Sequence, residues 1–230
     1  MDISRQVFNR SVKMGFVYVV LGLVMGLLFT GVFGFVPKLA GNVTSRGQSI
    51  NVGAVLGLEV APLVALAGLI ITMPVYILFV SDKNAGVLEY LLAVGMSQRD
   101  VFKGYLKAAL ILSLVAMGPP VLLNLALAPN GFWMALEVGI LALVTGGADV
   151  AMVTVLMTGF SSMQRKPTGM NSPLGISVGG LILLPELMLM AALGEAVVWL
   201  DVAVALGILA AALLLLLLLE RLVSREKLLP

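Results

Sequence analysis

Residues 81–105 read SDKNAGVLEYLLAVGMSQRDVFKGY, set between two apolar runs at roughly Val55–Val80 and Leu106–Leu127. About 20 consecutive apolar residues suffice to cross a bilayer as a helix, so the segment joins two candidate spans. Its own pattern differs from theirs. Val87, Leu88, Leu91 and Leu92 recur at i, i+1, i+4 and i+5 and form one apolar helical stripe. Gly86, Glu89, Tyr90 and Ala93 fall on the opposite face. The spacing predicts a short amphipathic helix over 84–94, lying along the membrane surface. Gly95 is a helix stop, and Ser97 with Asp100 makes a capping-box-like start for a helix running into the next span. Such a helix suits a docking knob joined directly to two spans. The same periodicity also describes an ordinary amphipathic loop.

The rest of the chain supports the membrane reading. Of 230 residues, 60% are hydrophobic and 11% charged, and the mean hydropathy is +1.11. Soluble domains carry about 25% charged residues, and a soluble fold of this size leaves too much surface in water to hide so much apolar area. One all-α membrane domain over 1–230 is expected, with six spans near 14–36, 55–80, 106–127, 132–160, 173–193 and 201–219. Gly22 and Gly26 give the first span a small-residue face for close helix packing. Pro119 and Pro120 are expected to kink the third. The basic residues 1–13 suit an interfacial helix, with Ile3, Val7 and Phe8 touching lipid. No cleaved leader is expected, because the first apolar stretch is long and lacks a clear small-residue cleavage site.

Of the 14 Lys and Arg residues, all but Lys38 and Arg46 fall on the side of the N-terminus, so the positive-inside rule places both termini in the cytoplasm. Asn42-Val43-Thr44 on the outer loop is a glycosylation tripeptide of low specificity. Cysteine and histidine are absent, which excludes disulfides, thiolate or imidazole metal sites, and cysteine or histidine catalysis. A net charge of +2 gives no footing for nucleic acid. Four acids fall within expected spans. Glu59 and Glu137 lie near the outer ends, while Asp149 and Glu186 lie deeper. An intramembrane acid marks either a pathway for cations, protons or lipid headgroups, or a hydrogen-bonded lock between helices. An intramembrane aspartyl protease needs two facing carboxylates, and no second deep Asp accompanies Asp149.

The segment DKNAGVLEYLLAVGMSQRDVFKGY resembles the coupling segment of type-two ABC transporter permeases. The residues that carry the resemblance are Asp82, Lys83, Gly86, Leu88, Glu89, Leu91, Leu92, Ala93, Ser97, Arg99, Asp100, Val101, Lys103 and Gly104. Val87 stands where that family usually has Thr, and Tyr105 where a Lys often follows the Gly. The match covers about 25 residues, and elsewhere only span count and loop layout agree. The resemblance implies the membrane subunit of an ATP-driven exporter in the cell membrane, paired with a second permease copy or paralogue and surrounded by membrane lipids. It further implies a separate ATPase subunit that carries ATP and Mg and docks through Asp82, Lys83, Gly86, Glu89 and Tyr90, flanked by Arg99 and Asp100. The chain contains no Gly-x-x-x-x-Gly-Lys-Ser/Thr loop to cradle phosphates, so it is not expected to be an enzyme or to hold a cofactor. Many members carry a re-entrant hairpin after the fifth span, and Gly194–Leu200 is too short for a large one. The alternative is an ATP-independent secondary transporter or channel that uses Asp149 and Glu186.

Overall fold

An apolar chain without water to bond its backbone satisfies those groups internally, and a helix does so within each segment. The computed structural model describes residues 3–40, 43–45, 48–50, 52–127, 131–163 and 198–222, and nearly all of them are helical. The helices are α1 (Ile3–Met14), α2 (Phe16–Ala40), α3 (Val52–Asn84), α4 (Val87–Ala93), α5 (Gln98–Leu127), α6 (Phe132–Met163) and α7 (Val198–Leu222). Between α2 and α3 the chain forms a small antiparallel hairpin, β1 (Val43–Ser45) and β2 (Gln48–Ile50), with Val43 opposite Ile50.

Among the described residues three helices are long and apolar enough to cross a membrane: α3 over Leu63–Asn84, α5 over Gln98–Leu127 and α6 over Ala135–Gly159. A fourth is added if α1 and α2, which meet at 84°, count as one broken span. These lengths and compositions point to a helical, multi-pass membrane protein. The expected fifth span, 173–193, lies outside the described residues. The expected sixth, 201–219, falls within α7.

α3 is the central helix, packed against α2, α5 and α6, while α6 also touches α7. Close approach depends on missing side chains. A Cβ on Gly22 would stand 3.1 Å from the Ala67 carbonyl oxygen, and one on Gly26 2.7 Å from the Pro120 ring. The small-residue face predicted for the first span is therefore the face α2 turns to α3 and α5. Across the α3–α5–α6 junction, the buried Met117 thioether fills a socket formed by Gly68 and Gly146. α5 runs unbroken through Pro119 and Pro120. The outer faces of α2 and α5 carry Val17, Val20, Leu21, Val24, Leu28, Ile111, Leu114 and Leu122 in exposed positions, an apolar belt suited to lipid.

Two boundaries differ from the sequence expectation. α3 continues to Asn84, so Ser81–Asn84 belong to the end of a span and not to a surface insert. α1 lies across the base of the bundle as an amphipathic helix should, but Ile3 and Val7 are buried against the bundle instead of facing lipid. Gly104 permits this: a Cβ there would stand 2.6 Å from Ile3 Cγ2, so α1 sits directly on α5.

Candidate functional site

α4 forms as the sequence predicts, over a shorter length. Leu88 and Leu91 are buried, Val87 and Leu92 half-buried, and Glu89, Tyr90 and Ala93 exposed. Two glycines bound it. Gly86 takes φ +72° between α3 and α4, a conformation L side chains rarely adopt. Gly95 takes φ +95° just past the helix. There the Met96 N–H donates to the Leu91 carbonyl and the Gly95 N–H to the Leu92 carbonyl, both at 3.1 Å. That pair of bonds is a Schellman closure, which satisfies carbonyls a helix end would otherwise strand. The next helix starts as predicted. Ser97 Oγ donates to Asp100 Oδ2 at 2.6 Å and accepts from the Asp100 N–H at 3.1 Å.

The side chains just before α4 point inward. Asp82 is 1% exposed. Arg10 of α1 donates to it with both guanidinium arms, Nη1 to Oδ2 at 2.9 Å and Nη2 to Oδ1 at 2.6 Å. The hydroxyl of Tyr105, on α5, donates to Oδ2 of the same carboxylate. A two-armed Arg–carboxylate pair fixes orientation as well as charge, so this cluster ties α1, α3 and α5 together beneath α4. Lys83 is also buried, and its Nζ donates to the Ser161 carbonyl at 2.9 Å. Ser161 lies in the last turn of α6, where carbonyls lack helical partners and the helix dipole favours a cation. Phe79 stacks on Phe102 with centroids 6.0 Å apart and meets Tyr105 edge-on at 5.0 Å, closing the apolar side of the joint.

The seven residues expected to face a docking partner therefore divide. Asp82 and Lys83 hold the joint from inside and are not on the surface. Gly86 makes the left-handed turn between α3 and α4, and Glu89 and Tyr90 are exposed on α4. Arg99 and Asp100 are exposed at the start of α5. Burial of the first two follows from register: they lie three and four residues after the buried Phe79, on the inward stripe of α3. Sequence reasoning did not find Arg10, Tyr105 or Ser161 as partners. Tyr105, one of the two positions that depart from the permease pattern, is the one whose hydroxyl reaches Asp82.

Of the deep acids, Asp149 is fully buried in α6, and Glu186 lies outside the described residues, as does Asn42 of the glycosylation tripeptide. Glu137 is exposed on α6. A second polar group is buried in the bundle: the Tyr76 hydroxyl lies 3.0 Å from Thr72 Oγ1 and 3.3 Å from Thr154 Oγ1. Thr145, Thr154 and Thr158 each donate to a carbonyl one turn earlier in α6, which satisfies them without a ligand. Among the described residues no cluster of acidic side chains could hold a metal ion. No protein-family model, curated protein or solved structure matches this chain.

Proposed function

We propose that this chain is the membrane subunit of an ATP-driven exporter, working as a dimer with a second copy or paralogue. A separate ATPase subunit, carrying ATP and Mg, docks on α4. Both termini then lie in the cytoplasm, with α4 on the same side. The observation that carries the reading is α4 itself: a helix of 7 residues between two long apolar helices, held from below and bare on top. Tyr90 is 65% and Val94 63% exposed, with Glu89 and Ala93 beside them. Exposed aromatic and aliphatic side chains next to a charge suit a protein interface. The Arg10–Asp82–Tyr105 cluster and the Lys83–Ser161 bond support the mechanical half of the proposal. A push on α4 meets a stiff joint and passes into α1, α3, α5 and α6, biasing the bundle between an inward-open and an outward-open arrangement.

The test is a pull-down of the tagged chain from mild detergent with mass spectrometry of what accompanies it. A stoichiometric ATPase subunit, lost in the Glu89→Arg, Tyr90→Ala variant while membrane insertion persists, is the expected result. Unchanged co-purification in that variant refutes α4 as the docking surface. The buried Asp149 favours a second reading, an ATP-independent transporter or channel. A chain that purifies alone and moves ions or solutes in vesicles without ATP would select it.

A further inference from the structure

A cleft of about 300 Å³ opens between the start of α1 and the first turns of α5. This volume is at the lower end of the range for small-ligand sites. Its charged lining comes from one face of α5: Asp100, Lys103 and Lys107. Its apolar lining is Ile3 and Met96, and Gly104 forms the floor where α1 rests. Lys103 is half-buried and Lys107 exposed, and neither has an ion-pair partner among the described residues.

The order of these charges along α5 is informative. At about 1.5 Å per residue, Lys103 lies about 4–5 Å further along the helix than Asp100, and Lys107 about 6 Å beyond that. Residues 108–127 then carry no charge at all, so Lys107 marks the depth at which α5 enters the apolar region. From water toward membrane the cleft therefore presents a carboxylate, then an ammonium, then a second ammonium at the boundary. Ser97 Oγ holds Asp100 Oδ2 at 2.6 Å and so fixes where the other carboxylate oxygen points. With α2 crossing the bilayer, its angle of 84° to α1 lays α1 along the surface and puts the cleft mouth at headgroup depth.

We propose that this cleft binds the headgroup of an aminophospholipid. Lys103 and Lys107 take the phosphodiester, and Asp100 accepts hydrogen bonds from the outward-pointing primary ammonium. Ile3, resting on Gly104 between the two lysines, flanks the phosphate. The matching chemistry is an aminoalkyl phosphate with its phosphate on the membrane side, as in phosphatidylethanolamine. A choline headgroup has no N–H to give Asp100, and a glycerol headgroup has no cation. The proposal requires the membrane reading of the helices but no ATPase partner, so it stands or falls separately from the exporter assignment.

The test uses the full chain, delipidated in mild detergent and titrated with phosphatidylethanolamine, phosphatidylglycerol or phosphatidylcholine, with bound lipid read by native mass spectrometry. Ethanolamine lipid should be retained about tenfold over choline lipid, the worth of one hydrogen bond to a charged group. Lys103→Gln with Lys107→Gln should lose retention of both the ethanolamine and the glycerol lipid, and Lys103→Arg with Lys107→Arg should keep it. Asp100→Asn should abolish the preference for ethanolamine while leaving phosphate-dependent binding. Equal retention of all three lipids, or no effect of the glutamine variants, overturns the proposal. So does competition by free phosphoethanolamine or inorganic phosphate at the lipid's own affinity, which would assign the cleft to a soluble phosphate.

Discussion

Removing Asp82 tests whether the joint under α4 is an internal strut or an incidental surface pair. Its carboxylate receives two bonds from Arg10 and one from Tyr105. The two ends of the ion pair differ: the Asp82 side chain is 2% exposed and that of Arg10 50%. Stranding one charge of a buried pair costs about 3–5 kcal/mol, whereas exposed pairs are worth about 0–1 kcal/mol. In Asp82→Ala the orphaned guanidinium turns to water, so that share of the cost is small. The buried Tyr105 hydroxyl cannot turn outward, and leaving it without an acceptor costs about 1–3 kcal/mol. We expect Asp82→Ala to cost about 3 kcal/mol in all. Arg10→Ala should cost at least as much, because it leaves the buried carboxylate with Tyr105 as its one remaining donor from this cluster. Tyr105→Phe should cost about 1.5 kcal/mol, one bond to a charged acceptor. The measurement is reversible unfolding in mixed micelles as the denaturing detergent fraction rises, followed by helical circular dichroism. The double variant decides the matter: Arg10→Ala should add less than about 0.5 kcal/mol in the Asp82→Ala background. Additive costs would mean that the two residues do not act as a pair, and the strut would be refuted.

Three further outcomes follow from the same geometry. Gly104→Ala should destabilise by about 1–3 kcal/mol through overpacking against Ile3, and Ile3→Ala should restore much of that loss in the same unfolding assay. Gly95→Ala should cost about 1 kcal/mol, because alanine is strained at φ +95°, and it should raise amide exchange at Met96, whose N–H closes the end of α4. A cysteine at the exposed Ala93, in a chain that has no cysteine of its own, should react with an impermeant maleimide only from the cytoplasmic side. Labelling from outside would overturn the orientation.

What the sequence made legible was local. The stripe of Leu88 and Leu91, the Gly95 stop and the Ser97–Asp100 cap all lie within a few residues of one another, and each formed as periodicity and capping chemistry require. Gly22 and Gly26 were legible as a packing face, though not the helices they would meet. Asp82 and Lys83 were misread as surface because polar residues after an apolar run look like the end of a span. Their helical phase, three and four residues past Phe79, was the signal available. Their partners were beyond reach: Arg10 is 72 residues away and Ser161 is 78, and no local rule links such distances. For Ile3 and Val7 the amphipathic pattern was right. The pattern says only that the stripe is covered, and lipid and α5 cover it equally well on paper. Pro119 and Pro120, where a kink is expected, do not interrupt α5, and a kinked helix can remain continuous.

The Met117 socket carries a consequence for how this sequence can drift. Met117 Sδ lies 2.4 Å from where a Cβ on Gly146 would stand and 3.0 Å from one on Gly68, so three positions on three different helices share one volume. Growth at 68 or 146 has to displace the Met117 side chain. Among descendants of this chain, an alanine at 146 should travel with a shorter side chain at 117, and a bulkier residue at 117 should never appear while both glycines remain. The trio is a lineage marker: growth at 68 or 146 should accompany or follow loss of volume at 117.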